Sequence, residues 1–89
     1  MPAQVKIYTR QMCGYCTAAE RMLHGKGIRF ENIDCTDDPE TRRWLVEATG
    51  QTTVPQIFID GRSIGGYDDM RALDRRGQLD PLLAGTAPA

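Results

Sequence analysis

The strongest limit on the fold lies between residues 5 and 27, where the chain changes period across a Cys-x-x-Cys pair. Val5, Ile7 and Thr9 alternate with Lys6 and Tyr8 and are β-branched, the signature of a strand. Arg10 to Met12 read as a loop. From Cys13 the spacing becomes helical: Cys16, Ala19, Met22 and Leu23 share one face, Glu20, Arg21 and Lys26 lie elsewhere, and Gly25 and Gly27 close the segment. A second strand follows within Ile28 to Asp34, marked by Ile28, Phe30 and Ile33. The two strands are therefore expected to be parallel, with a right-handed crossover.

The remainder adds a helix, a hairpin and another helix. Asp38-Pro39 is a helix start, with Asp38 as N-cap and Pro39 at the first helical position, where a missing N–H costs little. Trp44, Leu45 and Ala48 give that helix its apolar stripe, which places Trp44 in the core, and Gly50 ends it. Asp60-Gly61 predicts a tight turn between two short antiparallel strands. After Gly65-Gly66, Asp68 is the expected N-cap of a helix running to Arg76, with Met70 and Leu73 inward, and Leu79 to Leu83 form one last turn. The expected fold is α/β: a four-stranded mixed sheet with helices on both faces, one domain over residues 1–84 and a loose tail over residues 85–89.

With 89 residues, a second core has no room to form. A net charge of −1 provides no general attraction for nucleic acid or an acidic membrane surface. No apolar run approaches the ~20 residues of a membrane helix. Pro2-Ala3 runs directly into the first strand without a basic segment leading into an apolar stretch, so secretion is not expected and a cytoplasmic location is. Three cysteines do not make a structural disulfide framework, and in a reducing compartment they point to catalysis or metal binding.

Cys13 falls at a helix N-terminus and Cys16 on the next turn of the same face. Residues so spaced approach closely enough for a disulfide, whose Cα separation is typically ~4.4–6.8 Å. Unpaired N–H groups and the helix dipole favour a thiolate at Cys13, and Arg10 adds positive charge, so a lowered Cys13 pKa is expected. Cys16, deeper in the helix, suits the resolving role. Zinc binding and an inert pair are the competing readings. Zinc takes about four ligands, and only Cys35 and His24 are left to complete the set. His24 lies roughly 12 Å along the helix from Cys16 at ~1.5 Å per residue. The place of the pair after the first strand of a βαβ unit favours redox chemistry.

Ile7-Tyr8-Thr9 ahead of the Cys13-Gly14-Tyr15-Cys16 motif, Thr53-Val54-Pro55-Gln56-Ile57-Phe58-Ile59, and Gly65-Gly66-Tyr67-Asp68-Asp69 resemble three signatures of the bacterial dithiol glutaredoxins, and the likeness runs through Leu83. The resemblance implies the thioredoxin fold and glutathione-dependent reduction of protein disulfides and glutathione mixed disulfides through Cys13 and Cys16. It also implies a cis bond before Pro55, with Val54 presenting its backbone to a glutathionyl group as a short added strand. Arg10, Tyr15, Thr53, Val54, Pro55, Gly66, Tyr67 and Asp68 would form the glutathione site. In it Arg10 meets the glycyl carboxylate, the N-terminus of the last long helix receives the γ-glutamyl carboxylate, and Asp68 meets the ammonium. Asp69 would be a first-turn charge. Glutathione is then a co-substrate, glutathione reductase acts only indirectly, no tightly bound cofactor is needed, and the chain is expected to be a monomer.

Two departures from the pattern matter. Gln51 stands where many such proteins carry a basic residue, which implies weaker glutathione binding. Gly14 replaces the proline of the common CPYC motif, and some relatives with a small residue there bridge a [2Fe–2S] cluster between two chains through the first cysteine and glutathione. Cluster carriage, and reduction by thioredoxin reductase, are the alternatives to glutathione-dependent exchange. Cys35 is expected to be a small, partly buried residue away from the motif.

Overall fold

Val5–Thr9 form β1, the strand on which the sheet is assembled in this computed structural model, which describes residues 2–86. β1 pairs parallel with β2 (Glu31–Asp34) and antiparallel with β3 (Gln56–Ile59), and β3 pairs antiparallel with β4 (Arg62–Gly65), giving the order β2-β1-β3-β4. The helices are α1 (Gly14–Gly25), α2 (Pro39–Thr49), α3 (Tyr67–Arg75) and α4 (Leu79–Ala84). This is the thioredoxin fold that the resemblance implied.

Strand alternation divides the interior in two. On one face Val5, Ile7, Ile57 and Ile59 pack with Ala19 and Leu23 of α1, Met70 of α3, and Leu79 and Leu83 of α4. On the other, Tyr8 packs with Cys35 and with Leu45 of α2, beside half-buried Ile33 and Phe58. Each fully buried isoleucine or leucine contributes roughly 1.5–3 kcal/mol. A one-residue slip of β1 would turn both sets to the wrong face.

The strand register also decides where the functional end lies. Tyr8 stands opposite Gln56 in an antiparallel pair, so the chain leaving β1 and the chain entering β3 meet at one edge. Gly65 stands opposite Ile57, which brings the chain leaving β4 to the same place. Asp60 and Gly61 both have positive φ, 50° and 78°, as a type I′ hairpin turn requires.

Four expectations need correction. The second strand begins at Glu31 rather than Ile28. The Ile28 N–H donates to the Leu23 carbonyl in closing α1, and Ile28 and Phe30 pack into the α1/α3 core as connector residues. Trp44 is not core: it is 46% exposed. The inward row of α2 is Thr41, Leu45 and Thr49, spaced by four, so Trp44 stands one position off it and lies against Phe58 and Tyr8, with ring centroids 5.8 and 5.6 Å away. Ala48 is exposed for the same reason. Asp68 is not the N-cap of α3; Gly66 is, and the helix starts at Tyr67. In the expected tail, Gly85 ends α4 in a left-handed conformation and the Thr86 N–H donates to Pro81 O at 2.9 Å, while residues 87–89 lie outside the described residues.

Lys26, just past α1, reaches Asp74 of α3 at 2.7 Å and Asp80 of α4 at 2.8 Å. Those hydrogen bonds raise the Lys26 pKa above its ordinary value. At α2 the expected cap is present: the Asp38 carboxylate accepts from the Thr41 N–H at 3.1 Å and from the Thr41 hydroxyl at 2.7 Å. These bonds favour the charged form and lower the Asp38 pKa. Its stabilising contribution is therefore complete above the ordinary aspartate range and is lost as pH falls through the lowered value. Asp38→Ala is expected to lower the thermal midpoint at pH 7, with the difference from the native chain shrinking below about pH 4. A gap independent of pH would show that the carboxylate charge is irrelevant to the cap.

Candidate active site

The loop leaving β1 is tied down before it reaches the first cysteine. The Gln11 N–H donates to Thr36 Oγ1 at 2.8 Å, and the Thr36 hydroxyl donates to Asp34 Oδ1 at 2.6 Å. Met12 then takes φ 55° and projects fully into solvent. Cys13 occupies the N-cap position of α1 with extended dihedrals, and its sulfur accepts the Cys16 N–H at 3.2 Å. A sulfur thus performs the task that an oxygen of Ser or Asp performs at most helix starts. The same N–H and the dipole of α1 favour negative charge on that sulfur.

Cys13 and Cys16 are joined as a disulfide with a Cα separation of 5.2 Å. Cys13 is half-buried, whereas Cys16 is only 2% exposed, so an incoming group meets Cys13 first. The Cys13 sulfur lies 3.7 Å from the Val54 carbonyl oxygen. In the disulfide this is a contact without a proton; in the dithiol it is a donor geometry. A Cβ placed on Gly14 would meet nothing within 4 Å, so the space beside Cys13 is open.

The Val54–Pro55 bond is cis. Behind it Gln56 is fully buried, and its amide donates to the Thr53 carbonyl at 2.9 Å. A groove of about 330 Å³ runs from Tyr15 along Thr53, Val54 and Pro55 to Gly66, Tyr67 and Asp68. Tyr15 and Tyr67 face each other across it with ring centroids 6.3 Å apart. The turn into α3 comes close to the floor: a Cβ on Gly66 would lie 3.4 Å from the Pro55 oxygen. Gly65, at φ 103°, has no room for a side chain, because a Cβ there would run into the Asp69 carboxylate.

Asp69 lies at the third position of α3 and accepts the Gly66 N–H at 2.9 Å, half of a capping box whose other half glycine cannot supply. Asp68 is consequently released from capping and stands exposed in the groove. Arg10 is the one expected glutathione-site residue outside this groove. It lines a neighbouring cavity of about 520 Å³ that shares Gln51, Thr53 and Val54 with the groove.

The profile of the Glutaredoxin family matches residues 5–64. The chain belongs to the glutaredoxin family. It is 48% identical to glutaredoxin 3 of Escherichia coli K12 over 81 residues, covering 91% of this chain and 98% of that protein. It is equally identical to a glutaredoxin of Pseudomonas aeruginosa over 80 residues, 90% of this chain and 95% of the other. The solution structure of glutaredoxin from Brucella melitensis superposes with a TM-score of 0.87 at 42% identity, covering 99% and 96% of the two chains. A buckwheat glutaredoxin–glutathione complex superposes with a TM-score of 0.90 at 30% identity, covering 94% of this chain and 79% of that one.

In this glutaredoxin the third cysteine takes no part in the groove. Cys35 is completely buried, with its thiol 3.5 Å from the Ile33 carbonyl. Burial, and then the negative charges of Asp38 and Asp34, raise its pKa. Sequence reasoning passed over Gln56, quoted only as part of a signature, and Met12, assigned to a loop. A glutamine directly ahead of the apolar Ile57-Phe58-Ile59 was the available signal for the first; nothing in the sequence marks the second. In the fully reduced protein near pH 7, iodoacetamide should modify Cys13 well before Cys16 and leave Cys35 unmodified until the chain is unfolded. Peptide mapping of early time points checks this, and early label on Cys35 would contradict its burial.

Proposed function

We infer that this chain is a glutathione-dependent thiol–disulfide oxidoreductase. The observation that carries the reading is a disulfide-bonded cysteine pair three residues apart at the start of α1, its outer sulfur 3.7 Å from the carbonyl of Val54, which lines the groove of about 330 Å³. In the reduced protein the Cys13 thiolate attacks one sulfur of a substrate disulfide. The Cys13–S bond forms as the substrate S–S bond breaks, and the departing thiolate takes a proton from solvent. Cys16 then attacks the Cys13 sulfur, releasing the second thiol and forming the Cys13–Cys16 disulfide. Where the group held on Cys13 is glutathionyl, a free glutathione thiolate can instead attack the glutathionyl sulfur, releasing glutathione disulfide and the Cys13 thiolate directly. Two glutathione molecules return the Cys13–Cys16 disulfide to the dithiol and leave as glutathione disulfide, which glutathione reductase reduces with NADPH.

Glutathione is read into the groove by matching its groups. The backbone of its cysteinyl residue pairs with Val54 as a short added strand. Its γ-glutamyl carboxylate faces the N–H groups that open α3, and its ammonium faces Asp68, whose release from capping supports the assignment. Tyr15 and Tyr67 wall the sulfur end, Thr53, Pro55 and Gly66 form the floor, and the glycyl carboxylate turns toward Gln51 and Arg10. The buckwheat complex with glutathione supports the ligand class. The described residues contain no helix long and apolar enough to cross a membrane, and a pair that cycles between dithiol and disulfide suits the reducing cytoplasm, where we place the protein.

A [2Fe–2S] cluster is the second reading, motivated by Gly14, where a Cβ would meet nothing within 4 Å and so leaves Cys13 uncrowded on that side. Cys13 is the ligand this chain would contribute, with bound glutathione supplying another thiolate. The cluster provides electron storage when present, and Cys13 serves it only while unpaired from Cys16.

The deciding assay follows NADPH consumption through glutathione and glutathione reductase with a small glutathione mixed disulfide. Cys13→Ser should fall to background, whereas Cys16→Ser should keep deglutathionylation within about threefold and lose reduction of protein disulfides. An active Cys13→Ser enzyme would remove Cys13 from the mechanism. An inactive native chain that emerges brown and dimeric from anaerobic purification would favour the cluster. Restoring a charge beside Arg10 by Gln51→Arg should lower the glutathione KM by about twofold to fivefold at low salt; an unchanged KM would place the glycyl carboxylate elsewhere.

A further inference from the structure

Tyr8 is 8% exposed, yet its hydroxyl has no hydrogen-bond partner among the described residues. It lines a concavity of about 420 Å³ between β2 and α2, together with Glu31, Ile33, Glu40, Thr41 and Trp44. Among those residues Gln56 Oε1 is the side-chain atom both sealed from solvent and unpartnered, so the Tyr8 hydroxyl keeps access to solvent. Burial first, and then the charges of Cys35 and Glu31, raise the Tyr8 pKa, which sets the Glu31 carboxylate near that hydroxyl. Trp44 leans on Phe58 and Tyr8 and leaves 46% of its surface open. Glu31 and Glu40 are exposed, and neither forms a salt bridge among the described residues, where both such pairs belong to Lys26. No basic residue lines the concavity. Lys6, opposite Glu31 across the β1–β2 pair, lines instead a separate concavity with Gln4, Phe58 and Gly61. At about 3.6 residues per turn, Glu40 and Trp44 fall on one side of the inward row of α2 and Arg42 on the other. Arg42 and Arg43 accordingly line the cavity that holds Arg10, which shares no residue with this one.

We propose that this concavity binds an arginine side chain of a partner polypeptide, its guanidinium laid on the Trp44 indole between Glu31 and Glu40. A guanidinium is planar and weakly hydrated, stacks on aromatic faces and donates in a fork to carboxylates, so it meets every group there. The Tyr8 hydroxyl accepts a further N–H. A polypeptide is the source because β2 stands at the edge of the sheet, paired with β1 on one side only. An extended chain added to that edge satisfies the free backbone groups of β2 and turns alternate side chains toward α2. A second copy of β2 would set Glu31 against Asp34 across an antiparallel pair, where like charges repel, so the occupant is a different and basic chain. The site lies apart from the cysteine pair and selects a partner without entering the chemistry.

Trp44 is the one tryptophan of the chain and reports on its own site. The probe is a capped seven-residue peptide of alternating threonine and valine with a central arginine, titrated into the full chain while tryptophan fluorescence is followed. A second peptide carries citrulline, the uncharged isostere, in place of the arginine. At about 20 mM salt the arginine peptide should give a saturable change and bind about fivefold to tenfold tighter than the citrulline peptide. The difference should shrink at about 0.5 M salt. In the double variant Glu31→Gln/Glu40→Gln, which retains Trp44, the two peptides should bind within about twofold of each other. N-acetylarginine amide, which offers the side chain without a strand, should bind at least about tenfold more weakly than the arginine peptide. Added glutathione should leave the peptide affinity unchanged, and the double variant should reduce the small glutathione mixed disulfide at the native rate.

No saturable change with the arginine peptide, equal affinity for the two peptides, or a preference that survives in the double variant would overturn the site. Equal binding of N-acetylarginine amide and the arginine peptide would overturn the polypeptide as occupant. Displacement of the peptide by glutathione, or slower turnover in the double variant, would put the peptide in the cysteine groove and overturn the separation of the two sites. The titration involves no thiol exchange, so an inactive native chain in the glutathione-coupled assay would count against the proposed function alone.

Discussion

Everything at the functional end depends on the antiparallel pairing of β1 with β3. Two neighbouring strands running in opposite directions bring the exit of one beside the start of the other. Here that places the cysteine loop against the Val54–Pro55 segment. The parallel β1–β2 pair instead brings the ends of both strands to the same edge, where Thr36 can hold Gln11. The hairpin then returns β4 to that edge and delivers the start of α3. Three segments distant in sequence converge because of register, and each contributes backbone or short polar groups that a folded core could not accommodate internally.

This explains why the helix start is the reactive point. Cys13 closes a helix with a sulfur, so the group that caps is also the sulfur an incoming group meets first. Cys16 sits a turn inward on the buried face of α1, where packing against the sheet limits access. The contrast between the two sulfurs is a matter of exposure imposed by the amphipathic helix, since both belong to one short motif. On the far side of the groove, Asp69 takes over the capping that Gly66 lacks and leaves Asp68 exposed.

Much of this was legible in the residues themselves. The β-branched alternation of Val5–Thr9, Asp38-Pro39 at the head of α2, and Asp60-Gly61 between two short strands are local signals, and each has a local cause. The cysteine pair was equally plain, because its spacing and its place after a strand are both written in sequence. Trp44 was misread because an apolar residue next to an inward row looks inward until the helix is docked; only the position of Phe58 and Tyr8 reveals the side on which it rests. Asp68 was misread because two adjacent aspartates can each cap, and the start of α3 at Tyr67, which puts Asp69 at the third helical position, decides between them. The gathering of Arg42 and Arg43 beside Arg10 was not visible at all, since α2 and the β1–α1 loop meet only in the fold.

The burial of Cys35 sets how many electrons the molecule exchanges. Its side chain is buried against Tyr8 and Leu45, so the accessible sulfur chemistry reduces to one pair and one two-electron couple. Such a couple responds to its surroundings at roughly 30 mV for each tenfold change in the ratio of oxidised to reduced protein. A third exposed thiol would open further disulfide pairings and blur that response. Placing it in the core lets the chain act as a single-step electrode toward the glutathione pool.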